Sequence, residues 1–273
     1  MTRMTRMDRY KELWTAYQQS PPNSLHSQLD DELTRLEREL LDHPPPGQRR
    51  GLIESAKPIH IQAPALGDVF EVIAESDWPE VIADQDAARL RPYIWTILNQ
   101  GSVGSCASEG ICGTVMCRRE IAGRPRVKLS PYAVYGRVNG GSDRGSTLDA
   151  NLDYMMRYGA PSQDVWPRSK GWRTRPSEAA MENSLRHRVL EVARIRNKEE
   201  FGSALIYGLP VYFGYSGHAI FGADPIDRNR FRFPNSWSVN WGDDGFGTLS
   251  YSSIMWSYGC WAILSVTAPD DEV

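Results

Sequence analysis

The chain has 273 residues, 41% of them apolar and 24% charged, and its 31 Lys+Arg against 34 Asp+Glu give a formal net charge of −3. This is the composition of a globular protein. It is too apolar for a disordered chain, lacks the basic excess of a dedicated nucleic-acid binder, and has no apolar run near the roughly 20 residues that span a membrane. The amino end leads into charged helix instead of an apolar stretch, so no secretory signal is expected and a cytoplasmic location is. Four cysteines are too sparse for a disulfide framework.

In chain order, Tyr10, Leu13, Trp14 and Tyr17 recur at helical spacing within 6–19, and Pro21-Pro22 closes that segment. Asn23 or Ser24 caps a second predicted helix. Its Leu25, Leu29, Leu33, Leu36 and Leu40 form one apolar stripe, with Asp30, Asp31, Glu32, Arg35, Glu37, Arg38 and Glu39 on the other faces. The stripe suits packing against the body of the same chain, or a protein partner or self-association. Pro44-Pro45-Pro46-Gly47 ends the hairpin, and residues 1–66 read as a helical extension with a Pro-rich linker ahead of a 67–273 domain. Val69 to Ala74 look strand-like, and Trp78-Pro79 marks a turn. Helices are expected over Cys106 to Ile121, Thr147 to Tyr158 and Ser177 to His187. Short strands are expected over Pro210 to Phe213, His218 to Ala223, Arg230 to Phe233, Thr248 to Tyr251 and Ala262 to Val266. Helices first and strands later indicate α+β with two lobes.

The sharpest chemical signal is Asn99-Gln100-Gly101-Ser102-Val103-Gly104-Ser105-Cys106. A cysteine at a helix start meets unpaired N–H groups and the positive end of the helix dipole, both of which favour thiolate. The same amides stabilise an oxyanion, and Gln100, across a tight turn, is placed to supply a second donor. A thiolate nucleophile needs a base and an orienting group. Of the five histidines, His218 opens a strand-like run, and Asn235-Ser236-Trp237 follows the next strand. Neighbouring strands would set Asn235 beside His218, to hold its tautomer, with Trp237 shielding the bond.

These blocks resemble the papain-like cysteine peptidases over Ile94 to Ser250. Asn-Gln-Gly-Ser-x-Gly-Ser-Cys stands at 99–106, Asn139-Gly140-Gly141 where the family has its substrate-backbone-binding glycines, Gly217-His218-Ala219 at the histidine, and Asn235-Ser236-Trp237 through Trp241-Gly242 and Gly245-Phe246 at the asparagine. The resemblance implies a two-lobed α+β fold, the helical lobe carrying Cys106 and the antiparallel β lobe carrying His218 and Asn235. It implies Cys106 as nucleophile, His218 as base and acid, Asn235 as orienter, and Gln100 with the Cys106 N–H as oxyanion hole. Gly140, Gly141 and Trp237 would then contact an extended peptide or protein substrate, with no cofactor. The sequence departs from the family at Val103 and Val138, which stand where a disulfide normally does, at Ala107 in place of an aromatic, at Ser238 in place of a glycine, and in the short run from Pro210 to His218. Such short, disulfide-free versions resemble those of bacteria and phages, and a phage-encoded chain would reside in the virion.

A structural or assembly protein that keeps this fold without its activity is the competing expectation, motivated by the leucine-stripe hairpin and Ala107. A zinc site is disfavoured because Cys112 and Cys117 lie on one helix with no Cys-x-x-Cys, and the Gly-rich 139–145 run lacks a phosphate loop's Lys-Ser/Thr ending.

Overall fold

The structure is a computed structural model that describes residues 5–21, 24–84 and 90–267. Helix α1 (Arg6–Gln19) opens on a reciprocal cap: Thr5 Oγ1 accepts the Asp8 N–H, and the Asp8 carboxylate accepts the Thr5 N–H. Helix α2 (Ser24–Asp42) folds back on it. Leu33 and Leu36 are buried against Tyr10, Leu13, Trp14 and Tyr17, with Leu29 and Leu40 partly covered and Leu25 exposed. The leucine stripe thus packs largely within this chain. Asn23, one of the two expected caps, lies outside the described residues.

Residues 69–74 are not a strand. A four-residue helix, α3 (Leu66–Val69), is followed by unpaired chain in which the Ile73 N–H donates to Ser203 Oγ. Trp78-Pro79 does not mark a turn either, but starts helix α4 (Trp78–Asp84), whose first two residues tolerate proline's missing N–H. No described helix is long and apolar enough to cross a membrane.

Helices α5 (Cys106–Ile121), α6 (Pro131–Val138) and α7 (Leu148–Arg157) gather around one core containing Ile111, Val115, Val134, Leu148, Leu152 and Met155, and α8 (Glu178–Leu185) packs its Ala180 against Ala133 and Trp166 beside it. A second core, around Trp78, Phe201, Phe213, Phe231, Phe233 and Trp241, belongs to the strands and to helix α9 (Lys198–Ile206). One sheet has the order β1 (Val189–Arg194), β7 (Cys260–Val266), β2 (Val211–Tyr215), β3 (His218–Gly222). The other has the order β4 (Asp224–Pro225), β5 (Arg230–Pro234), β6 (Phe246–Ser250), and every pairing is antiparallel.

The two lobes meet where α5 backs onto β2 and β3. A Cβ on Gly110 would stand 3.0 Å from the Tyr212 ring, and one on Gly113 2.9 Å from Phe221. Two glycines on one helix face therefore bring the helix that starts at Cys106 directly against the strand that starts at His218.

Candidate active site

Cys106 is the first residue of α5 and is fully buried. Its thiol meets the backbone amides of Ala219, Gly51 and Ala107, which favour thiolate, but burial outweighs them and pushes the thiol up to about 11. His218, also fully buried, opens β3. Its Nε2 pairs with Asn235 Oδ1 at 2.8 Å. That Asn235 atom also accepts the Ser236 N–H at 2.8 Å, which identifies it as the amide oxygen, so the imidazole proton sits on Nε2. Nδ1 is left without a hydrogen-bond partner among the described residues. Burial pushes His218 down to about 4, against the opposing pull of Asn235. Trp237 is buried and stacked over the imidazole, centroids 4.6 Å apart, so it covers His218.

The Gln100 segment is zipped to the Asn235 segment. The Gln100 N–H donates to Ser236 O at 2.9 Å, Asn99 bridges Trp237, and the Ser238 N–H donates to Leu98 O. Ser236 Oγ donates to Gln100 Oε1 at 2.6 Å, which turns the Gln100 Nε2 toward the carbonyls of Arg49 at 2.5 Å and Val103 at 2.9 Å. The structure thus gathers Gln100, Cys106, His218, Asn235 and Trp237 at the junction of the lobes. Asp224, at the start of the connection between the two strands, tops the second sheet: β3 and β5 lie in different sheets, yet still bring His218 and Asn235 together.

The linker after α2 also lies at this junction. Residues 48–53 cross it as an extended strap. Gln48 Nε2 donates to Asn99 Oδ1, Arg49 pairs with Asp143 at 2.9 Å, and Arg50 bonds Ser216 O and Asp42. The Ser146 N–H donates to Gly51 O, the Leu52 N–H to Gly217 O and the Ile53 N–H to Ser146 O, so Leu52 bridges Ser146 in the parallel sense. Gly51 is packed so closely that a Cβ there would stand 2.1 Å from Gly104 O. Leu52 is buried against Gly214 and Tyr258.

Gly140 and Gly141, expected to line the substrate's main chain, are exposed at φ 65° and 82° with nothing near their missing side chains, and the strap pairs with Ser146. Sequence reasoning passed over Ser146, Asp143 and Ser236. Ser236 had a signal, its place inside the asparagine block. It also passed over Glu109, buried one turn into α5, where it accepts from Ser105 Oγ and pairs with Arg168 at 2.5 Å.

No family model and no curated protein matches the chain. Solved structures do. Xylellain, a cysteine protease from Xylella fastidiosa, aligns over 81% of this chain and 98% of its own at 18% identity and TM-score 0.62. Digestive procathepsin L2 of Tenebrio molitor larval midgut aligns over 97% of this chain and 100% of its own at 15% identity and TM-score 0.59. Procathepsin L 3 from the same midgut covers 96% and 100% at 11% identity and TM-score 0.58. The layered helices and antiparallel sheets described above are those of these proteins, and the chain has the papain-like cysteine protease fold.

Proposed function

We propose that the protein is a cysteine peptidase, or a hydrolase of peptide-like amides, held latent by its own strap. One observation carries the reading. The His218 Nε2–Asn235 Oδ1 bond leaves Nδ1 as a free base site on a residue whose neighbour, Ala219, places its N–H at the Cys106 thiol. Nδ1 takes the thiol proton as sulfur attacks a carbonyl, and the resulting imidazolium returns it to the leaving amine. The product is a thioester on Cys106, which water resolves with His218 again as base. Gln100 Nε2 and the Cys106 N–H hold the negative oxygen. In the covered state the Arg49 carbonyl accepts from Gln100 in place of a substrate carbonyl, and the desolvated thiol and imidazole are both neutral. The alignments with the two procathepsins, which cover nearly the whole chain including the extension, accord with a latent form.

The test is Gly51→Ala in the full chain. The new methyl would overlap the Gly104 carbonyl, which is backbone and cannot rotate away, so the strap leaves the cleft. Expected are rapid modification of Cys106 by a thiol reagent and hydrolysis of a fluorogenic peptide, both abolished by Cys106→Ala. A Gly51→Ala chain that is labelled but turns over no peptide favours the other reading, a structural or assembly protein on this fold.

A further inference from the structure

The strap shows what its binding site recognises. The residue whose carbonyl sits on Gln100 Nε2 is Arg49, and its guanidinium pairs with Asp143 at 2.9 Å. In hydrolysis, the residue whose carbonyl enters the oxyanion donors is by definition the one on the acyl side of the bond cut. The two oxygens of Asp143 have separate tasks. Oδ1 accepts the Gly104 N–H at 2.9 Å and the Tyr135 hydroxyl at 2.7 Å, and that same Tyr135 oxygen accepts the Gly145 N–H at 3.1 Å. These bonds tie the carboxylate to the turn just before Cys106 and to the loop that pairs with the strap. Oδ2 accepts from Arg49, on a side chain 24% exposed. Arg49 is the cation paired with Asp143 among the described residues, so withdrawal of the strap leaves a fixed, unpaired carboxylate oxygen on the cleft wall.

We propose that Asp143 is a specificity residue that selects substrates with arginine at the position whose carbonyl Cys106 attacks, and that Arg49 of the strap occupies that site in the latent chain. This rests on the peptidase reading above. A guanidinium presents a fork of N–H donors to carboxylate, and a carboxylate already positioned by Gly104 and Tyr135 loses little freedom in accepting it.

The probe pair is a fluorogenic peptide with arginine at that position and its twin with citrulline, which keeps the shape and removes the charge. In the full-length Gly51→Ala chain the arginine peptide is expected to show a kcat/KM about tenfold higher, the scale of one charge-assisted hydrogen bond. Asp143→Asn keeps an oxygen acceptor for Gly104 and Tyr135 and removes the charge, so it is expected to bring the two peptides level by lowering only the arginine one. Because the first comparison changes only the peptide, it stands even if that variant folds poorly. If no peptide is turned over, the peptidase reading fails separately, and the preference is read as binding by fluorescence anisotropy to the full-length Gly51→Ala, Cys106→Ala chain. About tenfold tighter binding of the arginine peptide, lost in Asp143→Asn, supports the proposal. Equal or absent binding of the two peptides, or a preference that survives Asp143→Asn, overturns it.

Discussion

In the reaction proposed above, Asn235 acts through one bond: its Oδ1 pairs with His218 Nε2, and Trp237 is stacked over the imidazole. Asn235→Ala would leave a buried N–H unpaired, a cost of about 1–3 kcal/mol, and would release the imidazole to rotate. In the Gly51→Ala chain the expected outcome is a fall in kcat of about tenfold or more with KM nearly unchanged, because the lost contact orients the base and does not touch the peptide. A rise in KM at constant kcat would reassign Asn235 to substrate binding. The residues of this constellation were legible in the sequence because the chemistry proposed for them calls for particular side chains: a thiol at Cys106, an imidazole at His218 and amides at Asn235 and Gln100. Ser146 was not legible, since its contribution is a backbone N–H and C=O, which any residue supplies. Asp143 was hidden for another reason, a carboxylate in a polar loop being indistinguishable from a solvated one until Gly104 and Tyr135 are seen on it.

The hairpin of α1 and α2 is fastened to the second sheet by a buried polar cluster. The fully buried Arg230 on β5 pairs with Asp30 at 2.7 Å and Glu37 at 2.5 Å, Thr248 on β6 donates to Glu37, and the Tyr10 hydroxyl lies 3.0 Å from Thr248. One cation faces two carboxylates there, and burial raises Glu37 to about 7 against the pull of Arg230. Arg230→Met would strand both carboxylates and is expected to cost about 3–5 kcal/mol, whereas Glu37→Gln, which mimics a form the cluster already favours, is expected to cost under about 1 kcal/mol. Urea denaturation of the two variants checks this, and equal losses would refute the asymmetry. The hairpin itself was readable because its apolar residues keep a helical period with polar faces between. Helix α9 was not, since Phe201 through Ile206 are all buried and leave no stripe to detect. Helix α6 contains Gly136, where a Cβ would meet Trp172 O at 1.9 Å, so a helix-weakening residue is kept for close packing. In β1 the register shifts on either side of Glu191, which erases the alternation that marks a strand. The Val69–Ala74 run misled in the other direction: its β-branched residues lie beside α9, where Ser203 Oγ satisfies the Ile73 amide that a neighbouring strand would otherwise have bonded.

Across the whole molecule, Cys106 belongs to one lobe, His218 to the other, and the strap bonds to both, through Asp143 and Ser146 on one side and Ser216 and Gly217 on the other. If the strap holds the chain latent as proposed, covering the site links that latency to stability and to pH. His218 has its folded value lowered by burial from 6.5 to about 4, with Arg50 of the strap opposing its charge as well. The unfolded chain takes up that proton first, so this contribution to stability is fully present above pH 6.5 and is lost as pH falls toward 4. It amounts to about 3 kcal/mol at most, from about 1.4 kcal/mol for each pH unit of separation. His187, buried after α8 with its ring bonded to Ala160 O, is lowered to about 4 as well, chiefly by burial, and has the same sign, but it lies away from the strap. Glu37 has the opposite sign: raised from 4.5 to about 7, it stabilises most below pH 4.5 and loses that contribution as pH rises through 7. Displacing the strap readmits water to His218 alone of these three. The full chain and its Gly51→Ala variant should therefore differ most in stability above pH 6.5, with the gap narrowing as pH falls to about 4.5, because the acid penalty at His218 is relieved only in the variant while those at His187 and Glu37 cancel from the difference. Urea denaturation of the two chains at pH 7, 5.5 and 4.5 measures this, each at fixed salt. Parallel stability curves would show that the strap does not govern the protonation of His218.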